Sequence, residues 1–183
     1  MKQINDLSRE ELGQLFPIII LEPNPAWPFL FRSEKIEIEK CLGLQNIISL
    51  EHIGSTAVPG LKAKPSIDIL LEIPDEADKH ILIFKLKELA YEFIPQPENP
   101  PPNMMFAKGY TMQGMKGQAY HIHVRYKGDW DEIYFRDYLI KNAEVAKEYA
   151  ILKENLAILH KNDREAYTDA KTEFVKRVSA KAR

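Results

Sequence analysis

One stretch limits the fold more than any other: Ser66 to Ile73 reads Ser-Ile-Asp-Ile-Leu-Leu-Glu-Ile. Its β-branched, nearly unbroken apolar character predicts a strand covered on both faces, in the middle of a sheet. A carboxylate inside such a strand is expensive to bury unless it is paired or binds a cation. Asp68 is therefore the first functional candidate. Strand alternation puts Asp68, Leu70 and Glu72 on one face. Four residues of strand separate Asp68 from Glu72 by about 13 Å, too far to clamp one ion together. Glu72 is expected at the rim or in a structural ion pair.

The flanking chain supplies the rest of the pattern. Leu7 to Phe16 reads as a helix with a Ser8/Glu11 capping box, stopped by Pro17. Ile18 to Glu22 reads as a short strand, and Asn24-Pro25 as a turn. Trp27 to Leu42 has helical spacing, with Pro28 acceptable in its first turn. Asn46 to Ile53 reads as a strand, Gly54 to Lys64 as a loop, and Asp75 to Tyr91 as an amphipathic helix capped by Asp75. Pro95 to Asn103 holds five prolines and is expected to be a mobile loop. Met105 to Tyr110 and Tyr120 to Tyr126 read as a hairpin joined across Gln113 to Gly117. Asp129 to Lys141, Ala143 to Lys161 and Asp163 to Ala182 read as three helices, the last capped by Asp163. The sum is an α+β architecture, a sheet partly covered by helices with a C-terminal helical segment packed on it.

The chain's 183 residues suit a single domain. The formal charge of −2, from 25 basic and 27 acidic residues, argues against a nucleic-acid partner gripped through a large basic face. The single cysteine, Cys41, excludes an internal disulfide and a cysteine zinc cage, and reads as a small buried hydrophobe. No apolar run is long enough to span a bilayer, and the N-terminus lacks the apolar core of a secretory signal. A cytoplasmic protein with no membrane partner is expected.

Chemistry concentrates between His52 and Glu72. Gly54-Ser55-Thr56 follows a strand directly. Glycine there lets the backbone approach a ligand, and the two hydroxyls can donate to phosphate oxygens. Lys62 and Lys64 lie in the following loop, where a lysine neutralises phosphate charge. Farther on, His121 and His123 share one strand face about 6.6 Å apart, a spacing that suits a metal or a phosphate if Asp68 lies on a neighbouring strand. Packing roles compete for both imidazoles. Arg136, on a helix, could reach a phosphate or form a structural ion pair.

The string His52-Ile53-Gly54-Ser55-Thr56-Ala57-Val58-Pro59-Gly60-Leu61, with Ala63-Lys64-Pro65 and Ile67-Asp68-Ile69-Leu70, resembles the GrpB family. The resemblance continues in Pro25-Ala26-Trp27, His121-Ile122-His123-Val124, Phe135-Arg136-Asp137-Tyr138-Leu139, Tyr149 with Leu152-Lys153, Arg164-Glu165-Ala166-Tyr167-Thr168 and Ala170-Lys171. It covers the chain from about Leu21, leaving residues 1–20 as an N-terminal extension to a single domain over 21–183.

The resemblance implies a nucleotidyltransferase-like mixed sheet. A similar domain is fused to dephospho-coenzyme A kinase in some bacteria. In the wider superfamily, a Gly-Ser turn precedes a strand bearing two acids that hold Mg²⁺ or Mn²⁺ on a nucleoside triphosphate. By that pattern Gly54, Ser55, Thr56 and Lys64 would bind phosphate and Asp68 would be catalytic. Asp68, His121 and His123 would hold metal, with His52, Glu72 and Arg136 auxiliary. The second acid's position is occupied by Leu70.

Three functions follow as expectations. One is a transferase that moves a nucleotidyl group to a hydroxyl. Another is a non-catalytic module for a nucleotide, a coenzyme A precursor or another phosphate-bearing small molecule. The third is a metal hydrolase using His121 and His123.

Overall fold

The computed structural model describes residues 4–183, so the first three residues of the expected extension lie outside the described residues. Helix α1 (Arg9–Leu15) starts as its sequence dictates. Ser8 Oγ accepts from the Glu11 N–H and the Glu11 carboxylate accepts from the Ser8 N–H, closing a capping box. Residues 18–22 do not form the expected strand; only a single bridge joins Leu21 to Ala63. The β-branched run instead buries Ile18 against Ala157 and Tyr167. Among the described residues no strand runs alongside to complete a ladder.

Helix α2 (Trp27–Leu42) occupies the expected span. Strand β1 (Ser49–Ile53) is shorter than expected because Leu44–Asn46 winds into a 3₁₀ turn. Strand β2 is Ser66–Ile73, as its composition requires. Helix α3 (Lys79–Glu88) is capped by Asp78, whose carboxylate accepts from the N–H groups of His80 and Ile81. Asp75, the expected cap, lies before it.

Strand β3 (Glu92–Pro95) was hidden in sequence by its proline and short length, both marks of an edge strand. Strands β4 (Met104–Thr111) and β5 (Gly114–Tyr126) form a longer hairpin than expected, turning on Met112 and Gln113. Helices α4 (Asp131–Lys141), α5 (Ala143–Leu159), α6 (Arg164–Asp169) and α7 (Thr172–Ala182) complete the chain. The expected single C-terminal helix is thus two. Asp163 caps α6 through the Ala166 N–H, and the Ala170 and Lys171 amides tighten the turn that ends it.

The strands form one mixed sheet in the order β1-β2-β5-β4-β3. Only the central β2–β5 pair is parallel; the other pairs are antiparallel. Ile67, Ile69, Leu71 and Ile73 of β2 pack with Ile122 and Val124 of β5 against α2 and α3. Each such side chain contributes roughly 1.5–3 kcal/mol over an exposed one. Cys41 is half-buried, and its thiol donates to the Lys85 carbonyl, joining α2 to α3.

The opposite face carries Asp68, His121, His123 and Arg125. Over it stand the C-terminal helices, with their own apolar cluster of Phe135, Leu139, Tyr149, Phe174 and Val178 closing on Val58 and Leu61.

Candidate functional site

The turn after β1 is built around one glycine. Gly54 has φ +71°, and a Cβ placed there would lie 2.6 Å from Asp68 Oδ2. Both the backbone conformation and the close approach to the carboxylate exclude a larger residue. The next residues, Ser55–Ala57, form a 3₁₀ turn that sends neighbouring hydroxyls to opposite sides. Ser55 faces the C-terminal helices, and its Oγ accepts from Lys153 Nζ at 2.9 Å.

Thr56 is buried on the α2 side, where its hydroxyl donates to the Ser66 carbonyl at 3.1 Å. His52 Nε2 lies 2.9 Å from that hydroxyl, so it is the donor of that bond, and its ring stacks on Phe31 at 4.8 Å. Burial pulls the His52 pKa down to about 4, leaving the ring neutral at pH 7. These two residues brace the turn from behind and do not line the cleft.

Asp68 and His121 stand side by side because β2 and β5 pair in that register. Asp68 Oδ1 is 2.9 Å from His121 Nδ1 and 3.7 Å from His123 Nε2. The other ring nitrogen of His121 is 2.7 Å from the Tyr110 hydroxyl, which in turn lies 3.3 Å from an Arg164 Nη. Burial alone would raise the Asp68 carboxyl, but the hydrogen bonds and charge of His121 and His123 prevail and hold it well below the usual carboxylate range. Burial lowers His121 against the pull of Asp68. His121 thus donates from Nδ1 to the Asp68 carboxylate, and its Nε2 lies against the Tyr110 hydroxyl.

Around this chain of bonds lies a cleft of about 930 Å³ that Lys64, Lys153, Lys171 and Arg164 line together with Gly54, Ser55 and the Asp68–His121–His123 set. Burial, aided by the neighbouring charge of Arg164, lowers Lys64 to about 7. Burial and nearby Lys171 lower Lys153 to about 7. Lys171 falls to about 8, again mainly through burial. Lys153 also donates to the Lys62 carbonyl and lies over the Tyr149 ring, while Lys171 lies over Tyr167. Lys62 points elsewhere, into ion pairs with Glu22 and Glu154.

Sequence reasoning missed Lys153, Lys171 and Arg164 as site residues. Lys153 sits among Tyr149, Leu152 and Leu156, a stripe that reads as packing. Its only signal is a lysine in the register of a buried helix face.

Two expected auxiliary residues lie outside the cleft. Glu72 accepts from Ser49 Oγ at 2.5 Å and from the Gly128 N–H and Trp130 Nε1 at 3.0 Å each. It is a structural hub at the far end of β2. Arg136 is committed to Glu51, Asp137 and the His52 carbonyl, which pins α4 to β1.

The donor set does not fit the Mg²⁺ or Mn²⁺ that the resemblance implies. Asp68 Oδ1 is already bonded to His121, and both His121 ring nitrogens are engaged. Leu70, 1% exposed, fills the second acid's place. Among the described residues no three His, Cys, Asp or Glu side chains are grouped to hold an ion.

The fold and cleft define a class: an α+β domain whose mixed sheet presents an acid–imidazole pair to a lysine-lined cavity. A family model described as GrpB protein matches residues 17–181, and the chain belongs to that family. Over 167 residues it is 42% identical to a UPF0157 protein of Pseudomonas aeruginosa, covering 90% of this chain and 67% of that one. It is 37% identical to the glutamate-rich protein GrpB of Alkalihalophilus pseudofirmus, covering 86% of this chain and 91% of that one. The crystal structure of the conserved protein GrpB from Enterococcus faecalis matches with a TM-score of 0.78 at 28% identity, covering 90% of this chain and 96% of that one. No helix among the described residues is long and apolar enough to cross a membrane.

Proposed function

We propose that the cleft binds a phosphate-bearing small molecule whose phosphates lie among Lys64, Lys153, Lys171 and Arg164, against the Gly54–Ser55 turn. The observation that carries this reading is a charge imbalance. Four cationic side chains meet at one half-enclosed cavity; of its carboxylates, Asp68 is already engaged by two imidazoles, and Asp129, Asp131 and Glu132 are taken up by Arg183 and Arg125. Gathering ammonium groups where burial depresses their ionisation is unfavourable without a compensating anion. A polyphosphate supplies that anion. Binding in this arrangement needs no divalent ion, because the lysines supply the neutralising charge. The protein then serves as a nucleotide-type or coenzyme A precursor-type binding module.

A second reading, group transfer, is favoured by the placement of His123 beside Asp68. An acceptor hydroxyl would lose its proton to His123 as its oxygen bonds to phosphorus. The bond from that phosphorus to the leaving phosphate would break, and the lysines would neutralise the departing charge. Asp68 would stabilise the imidazolium formed.

Calorimetric titration with sodium tripolyphosphate and with each nucleoside triphosphate, in EDTA and then with Mg²⁺ or Mn²⁺, tests the binding reading. Heat of binding in EDTA is expected. Its absence for every phosphate compound up to millimolar concentration removes the proposal. Release of pyrophosphate or phosphate, abolished in His123→Asn, separates transfer from binding alone.

A further inference from the structure

The cleft has a second end of different chemistry. Four residues along β5 from His121, a distance of about 13 Å, Arg125 lies on the same strand face and also lines the cavity. It is 4% exposed. Its Nη1 donates to the Val124 carbonyl at 2.9 Å and its Nη2 to Glu132 at 3.0 Å, but its Nε–H has no partner among the described residues. A buried donor left unpaired costs about 1–3 kcal/mol, so this one calls for an acceptor.

The guanidinium lies 5.7 Å from the Trp130 ring centre, and the Glu72 carboxylate holds that ring through Nε1. Opposite stands the proline-rich loop. Contrary to a simple mobile tether, it closes on itself: the Gln96 N–H donates to the Asn103 carbonyl, the Asn99 N–H to Gln96 and the Asn103 N–H to Pro100. This folding sets the half-buried Gln96 and Asn99 on the cavity wall, and neither carboxamide is spent on a bond among the described residues.

We infer that the cleft is two-ended, and that its ligand carries a planar heterocycle, by its chemistry a nucleobase, against Arg125, Trp130, Gln96 and Asn99. This inference rests on the phosphate reading of the lysine end. Carboxamides present a donor and an acceptor side by side, the pattern that reads the edge of a base. A guanidinium–indole pair offers a flat cationic surface to a π-system.

The test compares affinities for sodium tripolyphosphate and the four common nucleoside triphosphates by calorimetry, in EDTA. At least one nucleotide should bind about tenfold tighter than tripolyphosphate or better, a 1.4 kcal/mol margin. That ratio should fall toward one in the double variant Gln96→Ala/Asn99→Ala, whose side chains support no other bond. It should fall also in Arg125→Lys, which keeps the charge beside Glu132 but lacks the Nε–H.

Nucleotides that bind no tighter than tripolyphosphate overturn the inference and leave the phosphate reading standing. So does a ratio that survives in both variants. No binding by any of the five compounds ends both.

Discussion

Proton uptake on ligand binding gives the sharpest check on the lysine end of the cleft. Lys64 and Lys153, lowered to about 7, are largely uncharged at pH 8 in the free protein, and Lys171, lowered to about 8, is charged in about half of the molecules. A polyphosphate seated among them favours the charged forms and restores their affinity for protons. If all three become fully protonated, each binding event at pH 8 takes up about two protons, the deficit set by those values. At pH 6 the same lysines are already charged in the free protein, and uptake falls close to zero. Affinity for tripolyphosphate should therefore weaken as pH rises from 6 toward 9.

Titration calorimetry in buffers of different ionisation enthalpy, such as Tris and HEPES, reads the proton count directly. An observed enthalpy independent of buffer at pH 8 would show that the phosphates do not meet these ammonium groups. The same depressed values act on the free protein with the opposite sign. The unfolded chain binds more protons than the folded one between about pH 7 and the ordinary lysine range, so these three groups add stability as pH rises through that window.

Gly54→Ala should destabilise the protein by roughly 1–3 kcal/mol in urea unfolding, through its positive φ and the contact with Asp68; a change under half a kilocalorie would contradict the close approach. Asp68→Ala leaves the His121 Nδ1–H buried without its acceptor and should cost about 1–3 kcal/mol, whereas Leu70→Met beside it should cost under 1.5 kcal/mol. Because Asp68 is held below the ordinary carboxylate range, its stabilising contribution is present above that range and fades on acidification. The acid limb of a stability–pH curve should thus flatten in Asp68→Asn. Ile69→Ala, at a position with no exposure, should cost about 2–5 kcal/mol, measured by the denaturation midpoint.

What could be read from the sequence divides along a physical line. Local signals were legible: the Ser8 capping box, the sixteen-residue helix from Trp27 to Leu42, and β2 as an apolar central strand. The meeting of Gly54, Asp68 and His121 was expected from their residue types, and the β2–β5 register supplies it. The cationic wall was not legible, because Lys153, Arg164 and Lys171 come from α5, α6 and the α6–α7 junction and converge only through helix packing. Thr56 follows Ser55 directly, yet a 3₁₀ turn sends it to the opposite side, which residue type alone cannot foretell. The break between α6 and α7 carries no glycine or proline to announce it.

The parallel pairing of β2 with β5 has a consequence for how the molecule assembles. Asp68 and His121 are 53 positions apart, and they meet only after α3, β3 and the β4–β5 hairpin have been laid between them. No fragment ending before β5 can contain the acid–imidazole pair, so the pair forms only through a long-range closure, the kind of contact that slows folding. A molecule bound there would lock the two middle strands against opening together, and amide exchange would record that protection.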